Sequence, residues 1–217
     1  MVYEVQNDRI PFVKQYVSLA IIIANVIVFI WQLTDPTGYY YIYEAAFVPA
    51  QFITGQKWWT IITAMFMHGD IVHILMNMWF FYVVADNCEK EMGHILFAIT
   101  YFASGFGASL LHMGISLLNP IAATIPSLGA SGAIFGIVAV YAILFPNNQI
   151  AVLSRYRAYR ISAKVYFFFY FGIQILYGII GTLSGLTTGT AYWAHIGGFI
   201  VGAFFALIFK VTKRGKT

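Results

Sequence analysis

Apolar residues run in long uninterrupted stretches along this chain, and polar residues break them at only a few places. Six stretches are long enough, or nearly so, to cross hydrocarbon as helices: residues 16–33, 61–85, 94–118, 131–145, 165–183 and 190–209. A bilayer core of roughly 30 Å needs about 20 apolar residues in helical form. The fourth stretch is short, and the second carries His68, Asp70 and His73 near its start. The pattern predicts an all-α membrane protein built as a six-transmembrane-helix bundle. Residues 1–15 and 211–217 are expected to be tails on a single domain of residues 16–210.

Composition agrees with a bilayer as solvent. Of 217 residues, 60% are hydrophobic and only 9% charged, more apolar surface than a soluble domain of this size can cover. The first stretch is long, follows a mixed-charge tail and lacks a small-residue cleavage site, so it reads as a span rather than a secretory signal. The single cysteine, Cys88, has no partner for an internal disulfide and falls in a charged connection, DNCEKEMG, expected on the cytoplasmic side.

The net charge of +4 is distributed unevenly. Six spans put both termini on one side, with the connections after the second and fourth spans. That side collects Arg9, Lys14, Lys90, Arg155, Arg157, Arg160, Lys164, Lys210, Lys213, Arg214 and Lys216, leaving only Lys57 on the other. Short cytoplasmic loops carry such an excess of Lys and Arg. The basic residues therefore have a topological reading and nucleic-acid binding is set aside. Both termini are expected in the cytoplasm, and the chain in the plasma membrane of a prokaryote.

Within this apolar frame the stretch GASGAIFG, residues 129–136, places one hydroxyl, Ser131, at the start of the fourth span. Serine is cheap in a membrane helix, so packing is its plainest role. The sixth span holds His195 about one and a half turns from its outer end, at a depth similar to that of Ser131. An intramembrane histidine is costly and faces a protein interior or a wet cavity. Ala194, Gly198, Gly202 and Ala206 recur every four residues along the same helix, and Gly132 and Gly136 do so on the fourth. Small residues at this spacing let two helices approach closely, which would bring Ser131 and His195 together. A neutral imidazole within hydrogen-bond reach would make the serine a nucleophile. Gly197 is rotated by about 100° from this stripe and is expected to tolerate an added methyl group.

The second span contributes HGDIVHILMN, residues 68–77. His73 and Asn77, four apart, share one helix face and suit an oxyanion site, where fixed donors stabilise the charge formed in acyl transfer. Metal ligation by His68, Asp70 and His73 is the weaker alternative, since the spacing is not His-Glu-x-x-His. For His68, simple interhelical hydrogen bonding stands level with an oxyanion role.

Together, GASG, AHIGGFIVG and the pattern H-x4-H-x3-N formed by His68, His73 and Asn77 resemble the rhomboid intramembrane serine proteases, over residues 59–202. The resemblance implies that Ser131 is the nucleophile and His195 the general base, with His73, Asn77 and the Ser131 backbone amide forming the oxyanion site. Gly129 and Gly132 match the family's G-x-S-G, and Gly198 and Gly202 its A-H-x-x-G-x-x-x-G. Phe135 stands where many members stack an aromatic ring on the histidine, and Glu89 matches a carboxylate too deep to complete a triad. Trp59 is followed by Thr60 where the family often has Trp-Arg, so the loop between the first two spans is expected to be anchored differently.

The resemblance implies a Ser–His dyad that cleaves transmembrane protein substrates near the extracytoplasmic face, in a recessed, outward-facing cavity, with the lipid bilayer as its environment and no metal or organic cofactor. Two rivals remain: a transporter, against which stands the absence of an internal repeat, and a catalytically dead relative, against which stands the presence of both serine and histidine.

Overall fold

A computed structural model describes residues 2–4, 11, 14–153, 158–185 and 189–214. Arg9, Arg155, Arg157 and Lys216 lie outside the described residues, as do most of the two expected tails. The protein is mostly helical. In chain order, α1 (Tyr16–Gln32) is followed by the short α2 (Tyr40–Ala45), α3 (Pro49–Ile53) and α4 (Thr60–Thr63). The longer α5 (Ile71–Met92), α6 (His94–Ser116), α7 (Ser131–Leu144), α8 (Ala163–Ser184) and α9 (Tyr192–Arg214) complete the bundle. By length and composition α5, α6, α8 and α9 suffice to cross a membrane, while α1 and α7 are shorter apolar helices.

Helix α7 is the centre. Every residue from Gly132 to Ala142 is buried, which explains why this helix is hydrophobic all round. Its neighbours α5, α6, α8 and α9 cover it. Helix α8 is the opposite case: it buries only Ala163, Phe167, Gln174 and Gly178, and turns Phe169, Leu176 and Leu183 outward.

Small residues set the spacing. A Cβ built on Gly198 would fall on the Gly132 carbonyl, and one on Gly202 would fall on the Gly136 carbonyl. The α7–α9 contact is therefore backbone against backbone, as the four-residue stripe predicts. Gly197 departs from expectation. A Cβ there would lie 2.5 Å from the Gly107 carbonyl oxygen and 2.9 Å from Leu111 Cβ, both on α6. Rotation by about 100° takes a residue off one helix neighbour, but here it lands on another, because α9 is wedged between α6 and α7.

The second span also shifts. Instead of residues 61–85, the helix runs Ile71–Met92, preceded by α4 and a 3-10 turn, Ala64–Phe66. Asp70 begins it, its carboxylate accepting the His73 N–H at 2.8 Å, and Gly93 ends it with φ of 79°. Hydropathy misled because Ile61, Ala64, Met65 and Met67 are apolar and buried within the protein rather than in lipid.

Cys88 and Glu89 consequently lie inside a helix, both buried. Glu89 Oε2 accepts from the Ser18 backbone N–H at 2.8 Å and from the Ser18 hydroxyl, while Oε1 accepts the Val17 N–H at 2.8 Å and lies 2.6 Å from His94 Nδ1. It thus caps the N-terminus of α1, where a negative group complements the exposed N–H groups, and ties α1, α5 and α6 together.

A small antiparallel sheet joins the helices at that same end. Strand β1 (Val2–Glu4) pairs with β2 (Gln149–Leu153), which pairs with β3 (Ala158–Ser162). The expected tail and basic loop thus contain strands. QIAVL and AYRIS contain residues that favour strands, but five-residue segments between long apolar stretches carry too short a pattern to stand out.

Packing predicts which glycines tolerate bulk. Gly197→Val and Gly198→Val should each lower stability by about 1–3 kcal/mol, the scale of overpacking. Gly172→Ala, with open space around its Cβ position, should be neutral or raise stability by up to about 1 kcal/mol. Unfolding in mixed micelles measures all three.

Candidate active site

Ser131 is delivered by a braced turn. Phe47 and Ser127 exchange backbone hydrogen bonds of 2.9 and 2.8 Å, and the Gly129 N–H donates to the Ala64 carbonyl at 2.9 Å. Gly129 takes φ of 127°, a conformation that side chains disfavour, and the chain then enters α7 at Ser131 itself. The loop carrying Phe47 is held in part by Lys57, whose Nζ bonds the Tyr43 carbonyl at 2.9 Å and Glu44 Oε1 at 3.2 Å. The Trp59 indole N–H reaches the Glu44 carbonyl at 3.4 Å. A basic residue two positions before the tryptophan thus anchors this segment.

His195 is the fourth residue of α9, in its first turn rather than one and a half turns in. Its Nε2 lies 2.8 Å from Ser131 Oγ. Phe135, one turn along α7 from Ser131, stacks on the imidazole with centroids 4.2 Å apart and planes 8° from parallel. On the far side of the ring, Nδ1 lies 2.8 Å from Gln174 Oε1 of α8. Gln174 was not anticipated, although a lone amide in an otherwise apolar span is a signal of interior placement.

Two further polar side chains converge from α5. His73 Nδ1 accepts the Gly69 N–H at 3.3 Å, so the neutral ring carries its hydrogen on Nε2. That Nε2 sits 3.0 Å from where a Gly129 Cβ would be. Asn77 is buried and its Nδ2 has no partner among the described residues. Both donors line the cavity that holds Ser131 and His195, which has a volume of about 790 Å³.

His68 stands behind this group. Its ring packs edge-on against His73 at 5.1 Å. The Gln32 side chain takes the His68 backbone N–H and carbonyl, each at 2.9 Å. Asp70 is occupied as the cap of α5. No group of three or more potential ligands is placed to hold a metal ion among the described residues, and no residue lining the cavity is acidic. The site is a serine–imidazole–amide chain, half-buried at the serine and buried at His195 and Gln174, beside the neutral side chains of His73 and Asn77.

These features define an integral membrane protein with a polar site sunk in a helical bundle. The rhomboid domain model matches residues 55–211, and the chain belongs to the rhomboid family. It is 31% identical to RHOMBOID-like protein 6, mitochondrial, of Arabidopsis thaliana, over 69% of this chain and 43% of that protein. It is 24% identical to the rhomboid protease AarA of Providencia stuartii, over 88% of this chain and 72% of that one. A third relative, rhomboid-like protease 3 of Toxoplasma gondii, is 31% identical over 73% of this chain and 53% of its own. The chain spans 35–43% of the length of four plant relatives it matches and 53% of a fifth.

Gly129→Ala tests the braced turn. The unfavourable φ costs on the order of 1–3 kcal/mol, and the added methyl presses on His73. The variant should melt below wild type, and His73 NMR resonances should move; unchanged values for both contradict the geometry.

Proposed function

We propose that the protein is an intramembrane serine endopeptidase working through a Ser131–His195 dyad. The observation that carries this reading is the 2.8 Å contact between Ser131 Oγ and His195 Nε2 in a cavity within the helical bundle. Ser131 Oγ attacks the carbonyl carbon of a substrate peptide bond as its proton passes to Nε2. The tetrahedral oxyanion is met by His73 Nε2–H, Asn77 Nδ2–H and the Ser131 backbone N–H. Collapse breaks the C–N bond, and the imidazolium gives its proton to the leaving amine. Water then repeats the sequence on the acyl-enzyme, releasing acid and restoring both side chains. The substrate is a transmembrane segment that unwinds locally, since helical carbonyls are engaged in their own hydrogen bonds.

The wider reading has six spans, with α1 and α7 counted beside the four longer helices, in one membrane domain of residues 16–210. The charge asymmetry favours both termini in the cytoplasm, with the site toward the opposite face. Helix α7, about 21 Å long at 1.5 Å per residue, leaves Ser131 below that surface. Helices α7 and α9 both begin at the end of the bundle that holds the site, which fits this orientation.

Ser131→Ala and His195→Ala should each abolish cleavage of a transmembrane test substrate while the protein still inserts and purifies. Asn77→Ala should forfeit about 2.7–4 kcal/mol of transition-state stabilisation, as loss of one oxyanion donor does, and less if His73 compensates. Near wild-type turnover by Ser131→Ala in detergent contradicts the nucleophile assignment.

Orientation is tested separately. Cysteines replacing Ile121 and Asn147, at opposite ends of α7, in a Cys88→Ser background should react with an impermeant maleimide from opposite sides of sealed vesicles. Reaction of both from one side contradicts the topology.

A further inference from the structure

Gln174 is the polar exception on α8. Only four residues of this largely lipid-exposed helix are buried, and Gln174, 3% exposed, is the one with an amide. Burying an amide in apolar surroundings is unfavourable unless its hydrogen bonds are made. Its Oε1 makes one, 2.8 Å from His195 Nδ1.

An amide oxygen only accepts, so this contact requires the hydrogen on Nδ1. Neutral imidazole then has its lone pair on Nε2, which faces Ser131 Oγ. Phe135 does not enforce this arrangement. A stacked ring holds the plane of the imidazole, yet turning the imidazole over within that plane preserves the stack while replacing nitrogens with C–H edges. The amide oxygen distinguishes the two orientations, because the overturned ring offers it no N–H.

We infer that Gln174 is a positioning residue: its carbonyl selects the Nδ1-protonated tautomer of His195 and fixes the ring's rotation, so that Nε2 is the base presented to Ser131. The inference rests on the dyad reading above. The amide occupies the position that a carboxylate holds in Ser-His-Asp sites, but without charge. When His195 accepts the serine proton, the Nδ1–H bond to Gln174 persists and gains strength as a charge-assisted bond. Ring orientation is thereby tied to the seating of α8, the helix with the fewest buried residues of the four long enough to cross a membrane.

The test combines nitrogen-15 NMR of the histidines with the rate at which a fluorophosphonate labels Ser131. Wild-type His195, identified by the resonances lost in His195→Ala, should show a protonated Nδ1 and a bare Nε2. Gln174→Met, of similar length but lacking the amide, should give mixed tautomers. It should also label about tenfold more slowly, the scale of one lost hydrogen bond, with an unchanged melting temperature. Gln174→Glu, which restores an acceptor, should restore the Nδ1 proton. A wild-type ring protonated on Nε2 overturns the inference even if Gln174→Met fails to fold, as does unaltered labelling and tautomer in a folded Gln174→Met. Failure of wild-type Ser131 to label overturns the dyad reading itself, so the two failures are distinguishable.

Discussion

The bundle depends on how closely α9 can approach α6 and α7. Lipid tails are as apolar as leucine side chains, so membrane helices gain little from hydrophobic burial against each other and rely on tight packing and hydrogen bonds. Here the packing reaches the backbone itself, with Gly198 and Gly202 against the carbonyls of Gly132 and Gly136, and Gly197 against that of Gly107. Three glycines within six residues serve two helices. Their spacing sets the distance between the first turns of α7 and α9, which is where Ser131 and His195 meet.

Polar groups then divide between the two ends of the bundle. At one end Glu89 caps α1 and reaches His94, while Lys213 pairs with Glu91 and Lys210 bonds the Ile143 carbonyl at 3.2 Å. At the other, Lys57–Glu44 and Asp70 brace the surrounding loops, while the cavity itself is lined by neutral polar groups, among them the Asn77 amide, the imidazoles of His73 and His195 and the Ser131 hydroxyl. Neutral partners suit a low-dielectric site, because they impose direction without the desolvation penalty of a buried ion. The braced turn from Ser127 to Gly129 completes the arrangement by linking the serine to the loop segment between α1 and α5.

Much of this was legible in the residues. Glycines four apart announced the α7–α9 contact, and the rarity of hydroxyl and imidazole groups in apolar stretches singled out Ser131 and His195. The Phe135 stack was implied by the family resemblance rather than by spacing alone. What escaped reading had physical causes. Apolar residues buried in protein and apolar residues facing lipid have the same hydropathy, so the break at residues 67–70 was invisible and the second span was misplaced. Periodicity describes one helix face at a time, so Gly197 was judged by its distance from α7 and not by its nearness to α6. Gln174 lies on a helix whose register against His195 no local pattern encodes, and its partner is 21 residues away. The sheet pairs residues 2–4 with residues 150–152, a separation beyond any local signal.

The central claim is that Ser131 is an activated nucleophile inside a bilayer. The most direct measurement is intact-protein and peptide mass spectrometry after fluorophosphonate treatment of the protein reconstituted in liposomes. The account predicts a single adduct on Ser131 that is absent when His195 is replaced by alanine. An adduct on another serine, or one on Ser131 that forms as fast without the imidazole, would contradict it.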